Sequence, residues 1–227
     1  MTPEEILAAA SGAGWTDVAR SAHGRPITSR RWGGQGGAPI LLFAAIHGDE
    51  PLGSHCLLEL AKILDVRAAA LARPTILAPI VNPDGLLAGT RANARGVDLN
   101  RNFPAKNWQS THRTGYYPGP RAGSEPETRA LLDLLEREQP TRVIAIHSPY
   151  RCVNFDGPAR GLAERMAAKN GYGVAPDLGY PTPGSFGSYW AIDRGHEVVT
   201  LELPEIGFHD AWAENRDALL VAVGLLD

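Results

Sequence analysis

Four short apolar runs, at 40–46, 75–81, 142–146 and 197–203, are each bounded by turn-forming residues and constrain this 227-residue chain more than any other feature. Near-continuous apolar strands of such length are buried on both faces, which requires a sheet covered by helices. The stretches between the runs supply those helices. Helical periodicity extends from Pro51 to Leu64 and from Trp212 to Leu226. A third helix is expected to begin at Ser124, where Glu127 would complete a capping box ahead of Ala130, Leu131, Leu134 and Leu135, and Pro140 would end it. Strands alternating with helices predict a three-layer α/β fold, with a mixed, mostly parallel sheet between helices. No repeat, low-complexity tract or linker divides the chain, so residues 1–227 are expected to form one domain.

Composition narrows the class of partner. With 44% hydrophobic and 21% charged residues the chain is an ordinary globular one, able to bury a sizeable core. A formal charge of −3, with both signs interspersed, leaves no basic footprint for nucleic acid or an anionic membrane surface. No segment is apolar for long enough to span a bilayer, and the acidic start MTPEEILAAA does not read as a secretory signal. Two cysteines, Cys56 and Cys152, point to reduced thiols and a cytoplasmic location. The sequence does not set an oligomeric state.

Ligand-type side chains stand where strands end. His47-Gly48-Asp49-Glu50 follows the first run, His147 follows the third, and Glu202 closes the fourth. Active sites of such sheets form beyond the carboxyl ends of the strands. H-x-x-E alone is weak evidence, since a satisfied histidine and a solvated glutamate fit it equally well. His147 changes the balance, because two histidines and a glutamate are a ligand set for one catalytic zinc with a position left open for water. Glu202, a carboxylate in an otherwise apolar strand, is the candidate base. The segment 90–103 adds Arg91, Arg95 and Arg101 with Asn93, Asn100 and Asn102, an arrangement suited to recognising a carboxylate and stabilising an oxyanion. Asp98 suits a role behind a ligating imidazole.

These pieces occur in the order found in the zinc carboxypeptidase family, which the chain resembles over most of its length. The run comprises Gly24-Arg25-Pro26-Ile27, His47-Gly48-Asp49-Glu50, Asn82-Pro83-Asp84-Gly85, Gly96 to Phe103, Ser124-Glu125-Pro126-Glu127-Thr128, His147-Ser148 and Leu201-Glu202-Leu203. The resemblance implies one zinc per chain on His47, Glu50 and His147, with Asp98 orienting His47. Asn100 and Arg101 would hold the free C-terminal carboxylate of a small peptide substrate, and Glu202 would act as base and then acid. Either Arg91 or Arg95 would stabilise the oxyanion, with Thr90-Arg91 and Asn93 favouring Arg91. Tyr180, or Tyr189 further on, would close over substrate. Within the family, the runs at 89–91, 97–104 and 180–185 resemble bacterial enzymes that split γ-D-glutamyl-diaminopimelate bonds in recycled murein peptides. Carboxypeptidases acting on ordinary peptides, deacylases of N-acyl amino acids such as aspartoacylase and succinylglutamate desuccinylase, and a non-catalytic binder of peptidoglycan fragments are the alternatives. Ser148-Pro149 is a candidate cis peptide. His55, His112, His196 and His209 lack partners in sequence and are expected to be surface or locally bonded residues.

Overall fold

The computed structural model describes residues 1–111 and 115–227. Its centre is an eight-stranded sheet: β1 (Thr16–Arg20), β2 (Pro26–Trp32), β3 (Ile40–Ala44), β4 (Thr75–Ala78), β5 (Arg142–His147), β6 (Cys152–Asp156), β7 (Gly173–Ala175) and β8 (Glu197–Glu202). The order across the sheet is β1-β2-β4-β3-β5-β8-β6-β7. β4, β3, β5 and β8 are mutually parallel and are the four apolar runs of the sequence. β2 pairs antiparallel with β4 on one side, and β6 pairs antiparallel with β8 on the other.

The chain opens with α1 (Pro3–Ala10), and alternation along the central strands that follow feeds two cores. Leu42, Ala44, Ile144, Ile146, Val199 and Leu201 face one way, against α2 (Leu52–Arg67), α5 (Arg160–Asn170) and α6 (Phe208–Ala222). Leu41, Phe43, Val143, Ala145 and Val198 face the other way, against α4 (Pro126–Glu138), Phe103 and Phe186. Both strand faces are therefore dry, which is why the runs read as continuous rather than alternating. The three-layer arrangement is the one the sequence predicts.

Local expectations needed correction. β3 and β4 stop at Ala44 and Ala78, short of the apolar runs, because the Val81 and Asn82 N–H groups donate instead to Ala44 O and Ala45 O (3.1 and 2.9 Å). α6 lies four residues earlier than its pattern indicated. The capping box at Ser124 does not form: α4 starts at Pro126 with Glu125 as its cap residue and no side-chain cap bond. Ser124 Oγ donates to Glu125 Oε1 (2.7 Å), while the Glu127 carboxylate accepts from Ala22 N (2.9 Å) and Asn93 Nδ2 (3.0 Å). Asn102 Nδ2 also donates to Ser124 Oγ (3.0 Å), so tertiary links have taken both side chains. At the other end Gln139 turns left-handed, and Pro140 follows outside the helix, as expected.

Candidate active site

The turn after β3 brings His47 over the carboxyl edge of the sheet. Buried Ala45 adopts φ +47°, an uncommon conformation for a residue with a Cβ, and thereby bends the chain out of the strand. Gly48 then presses on the backbone of Gly85 so closely that a Cβ at position 48 would collide with it. Asn82 caps α3 (Pro83–Ala88), its Oδ1 accepting the Gly85 N–H at 2.9 Å. Asp84 in turn accepts from Arg25 Nη1 (2.6 Å) and His23 N (3.0 Å). The N-P-D-G and G-R-P-I motifs thus buttress the H-G-D-E turn.

Three buried side chains converge there. His47 Nδ1 lies 2.8 Å from Glu50 Oε1, and His147 Nδ1 lies 2.9 Å from Glu50 Oε2. One potential ligand atom from each residue falls within 4.8 Å of the others. Two imidazoles and a carboxylate gathered this closely are a donor set that fits zinc in type. On the far side of the His47 ring, Nε2 lies 3.2 Å from Asp98 Oδ1. Burial works against charging His47, Glu50 and Asp98, but the attraction of their neighbours outweighs it. His47 is pushed up to about 9 by Glu50 and Asp98, while Glu50 and Asp98 are held well below the ordinary carboxylate range by the imidazoles, Asp98 with further help from Arg91. The cluster is thus built to attract positive charge.

Glu202 ends β8 directly beside His147, its register partner on β5. It is only 4% exposed, and its Oε2 has no hydrogen-bond partner among the described residues. Burial raises its pKa, with Glu50 adding to the shift and His147 opposing it. A carboxylate with an unused oxygen and a raised pKa is equipped to exchange protons.

Arg91 and Arg95 occupy different places. Arg91 donates from Nε and Nη2 to Asp98 Oδ2 (3.1 and 3.0 Å), leaving Nη1 3.7 Å from Glu50 Oε1 at the cleft. Arg95 points outward, half-exposed, with its Nη1 3.6 Å from Glu125 Oε2. The tyrosines separate as well. Tyr180 lines the cleft mouth beside Tyr150, ring centroids 6.4 Å apart, whereas Tyr189 is buried against Phe103. Asn100 and Arg101 sit on the short turn 99–101. Asn100 Oδ1 accepts the Phe186 N–H at 2.9 Å, which leaves Nδ2 as the end able to donate, and both side chains line the cleft. The Ser148-Pro149 bond is cis.

The cleft has a volume of about 350 Å³ and reaches past these residues to Asp156 on β6. Asp156 pairs with Val198, four residues before Glu202 on β8, so it lies roughly 13 Å deeper along the sheet. Its carboxylate has no hydrogen-bond or ionic partner among the described residues, and burial alone raises its pKa. Gly187 makes room for it: a Cβ there would collide with the Asp156 carboxylate. Nothing in the sequence singled out this residue, because β6 is not a recognisable apolar run.

Residues 13–159 match the zinc carboxypeptidase family. The chain belongs to that family. It is 38% identical over 183 residues to murein peptide amidase A of Escherichia coli strain K12, covering 75% of this chain and 73% of the relative. The crystal structure of murein-tripeptide amidase from Escherichia coli O157 superposes with a TM-score of 0.76 at 33% identity, covering 93% of this chain and 91% of that one. Carboxypeptidase A from Helicoverpa armigera shares the fold at a TM-score of 0.78 and 20% identity, over 97% of this chain and 70% of that chain. Membership makes this zinc carboxypeptidase relative a zinc-dependent hydrolase, of a fold in which helices flank a mixed sheet. Among the described residues, its remaining histidines stay outside the cleft lining. His55 packs on Phe208 and His196 stacks on Trp190; His112 lies outside the described residues. Both cysteines are free, and burial pushes Cys56 up to about 12 and Cys152 up to about 11, the latter with help from Glu202. No helix among the described residues is long and apolar enough to cross a membrane.

Proposed function

We propose that this chain is a murein peptide amidase that releases a C-terminal diamino acid, diaminopimelate, from its amide link to the γ-carboxyl of D-glutamate. The observation that carries this reading is Asp156, a carboxylate without a partner among the described residues at the deep end of the cleft, where a cationic group on the released residue would complete it. The likeness to enzymes named for murein peptides supports it. Free thiols agree with a cytoplasmic, recycling role.

His47, Glu50 and His147 would hold one zinc, with Asp98 fixing the tautomer of His47. When bound, zinc supplies a Lewis acid for the scissile carbonyl and acidifies water. Arg101, with Asn100 Nδ2, grips the terminal carboxylate of the peptide and thereby sets which amide reaches Glu202. Glu202 takes the proton of the attacking water on its unpartnered oxygen and returns it to the departing amine. Arg91, already braced by Asp98, offers Nη1 to the oxyanion that develops at the carbonyl. Tyr180 stands at the mouth, where it can cover bound substrate.

The test is a panel run with zinc-loaded and chelated protein: L-Ala-γ-D-Glu-meso-diaminopimelate, the same tripeptide ending in L-Lys, one ending in L-Ala, and N-acetylaspartate. The two diamino substrates should be cleaved preferentially, and Asp156→Asn should lower kcat/KM for them by about 10–100-fold while sparing the L-Ala substrate. Equal turnover of the L-Ala tripeptide by the unaltered protein would sink the reading.

A further inference from the structure

Tyr116 takes no part in the chemistry above, yet both cleft arginines converge on it. Its ring centroid lies 5.5 Å from the Arg91 guanidinium carbon and 5.6 Å from that of Arg101, within the range at which a cation is drawn to an aromatic face. The two guanidiniums also feel each other. Burial lowers the pKa of Arg101, Asp98 opposes that, and Arg91 lowers it further. Arg91 is anchored by Asp98, whereas Arg101 donates from Nη1 to its own neighbour's carbonyl, Asn100 O, at 2.6 Å. The turn that carries Arg101 also holds the Tyr116 segment: Asp98 N donates to Tyr117 O (2.8 Å) and Asn102 Nδ2 to Pro118 O (2.7 Å). One short piece of backbone thus fixes the ring relative to both cations.

We propose that Tyr116 is a positioning residue whose ring, shared by Arg91 and Arg101, sets the spacing at which the two guanidiniums address different oxygens of one substrate. The proposal rests on the roles given above to those arginines, oxyanion for Arg91 and terminal carboxylate for Arg101. The ring does this without neutralising either cation, as a carboxylate in its place would. Its effect therefore divides between binding and turnover: loss of the ring loosens Arg101, which raises KM, and misplaces Arg91, which lowers kcat.

The experiment compares Tyr116→Phe, which keeps the ring, with Tyr116→Leu, which removes it, on the murein tripeptide. Tyr116→Leu should raise KM and lower kcat by roughly three- to tenfold each, whereas Tyr116→Phe should retain most of both. In an Arg101→Lys background, Tyr116→Leu should leave KM where that background sets it and still lower kcat. A merely structural role would give the same changes in both backgrounds. Zinc content and Tm confirm folding, and Tyr116→Met replaces the leucine variant if that one does not fold. A leucine variant with unaltered constants, or a phenylalanine variant as impaired as the leucine one, would overturn the proposal. If the unaltered protein ignores the murein tripeptide but cleaves another C-terminal peptide, the substrate reading has failed, and the Tyr116 series is run on that peptide.

Discussion

The two walls of the cleft are built in opposite ways. On the wall formed by residues 47–102, polar groups are paired with one another: Glu50 with both imidazoles, Asp98 with His47 and Arg91, Asn100 with the Phe186 backbone. Behind it, Asn93 donates from one amide to both Glu125 and Glu127, which are almost fully buried. On the wall formed by β8 and β6, Glu202 keeps an oxygen without a partner among the described residues and Asp156 has no partner there at all. Burying polar groups unpaired is expensive, so a fold retains them where something else completes them. On the proposed function, the paired wall would hold its reagents in place and the open wall would receive atoms of the substrate.

If that division is right, the open wall should yield the largest catalytic loss. Glu202→Gln removes only the ability to accept a proton, and kcat should fall by about a thousandfold. Zinc content should be unaltered, since the ligand cluster closes without Glu202. Steady-state kinetics alongside metal analysis checks both halves, and near-normal turnover would mean that the base lies elsewhere. Arg91→Ala comes next, at about a hundredfold in kcat for one oxyanion donor. Arg95→Ala, which alters a side chain that faces solvent beside Glu125, should change kcat by less than about twofold. A larger loss from Arg95 than from Arg91 would reverse the assignment.

The paired wall should instead fail through its metal. Asp98→Asn weakens the brace on His47 and leaves Arg91 without its ionic partner, so zinc affinity should drop by about 10–100-fold in a chelator competition. Turnover at saturating zinc should recover in part. Full recovery would show that Asp98 does nothing for Arg91.

The same division explains what could be read from the sequence. The four central strands are dry on both faces and announce themselves as apolar runs, and their ends carry His47, His147 and Glu202, so the residues proposed here as metal ligands and base could be singled out from the sequence. β1 and β6 were not. β1 is largely exposed and Thr-Asp-Val-Ala-Arg carries no core signal; β6 mixes Asn154 and Asp156 among apolar residues because one end of it faces the cleft. Asp156 thus reaches the cleft only through an antiparallel pairing with β8 that its spacing in sequence does not encode. The motif Ser124-Glu125-Pro126-Glu127 does open a helix, but it looked like a capping box because a capping box and a tertiary anchor use the same residue types. Arg91 and Arg95, four residues apart, were told apart by partners, Asp98 for one and Glu125 for the other.

The smallest expected effect is the most direct measure of the open wall. Burial raises the pKa of Asp156 in the folded chain above its unfolded value of about 3.9. Below that value both states are protonated and the residue favours neither. Between it and the raised value the unfolded chain has released a proton that the fold still holds, so stability falls as pH rises through this window, and above the window the loss is complete. Asp156→Asn lacks the titration. It should therefore melt about 1–3 °C above the unaltered protein at about pH 7.5, with the gap narrowing as pH is lowered toward the unfolded value. Free diaminopimelate should narrow the gap at the higher pH too, by supplying the missing cation to the unaltered protein alone. An unchanged gap across pH would mean that Asp156 is solvated well enough to need no partner, and the contrast between the two walls would then rest on Glu202.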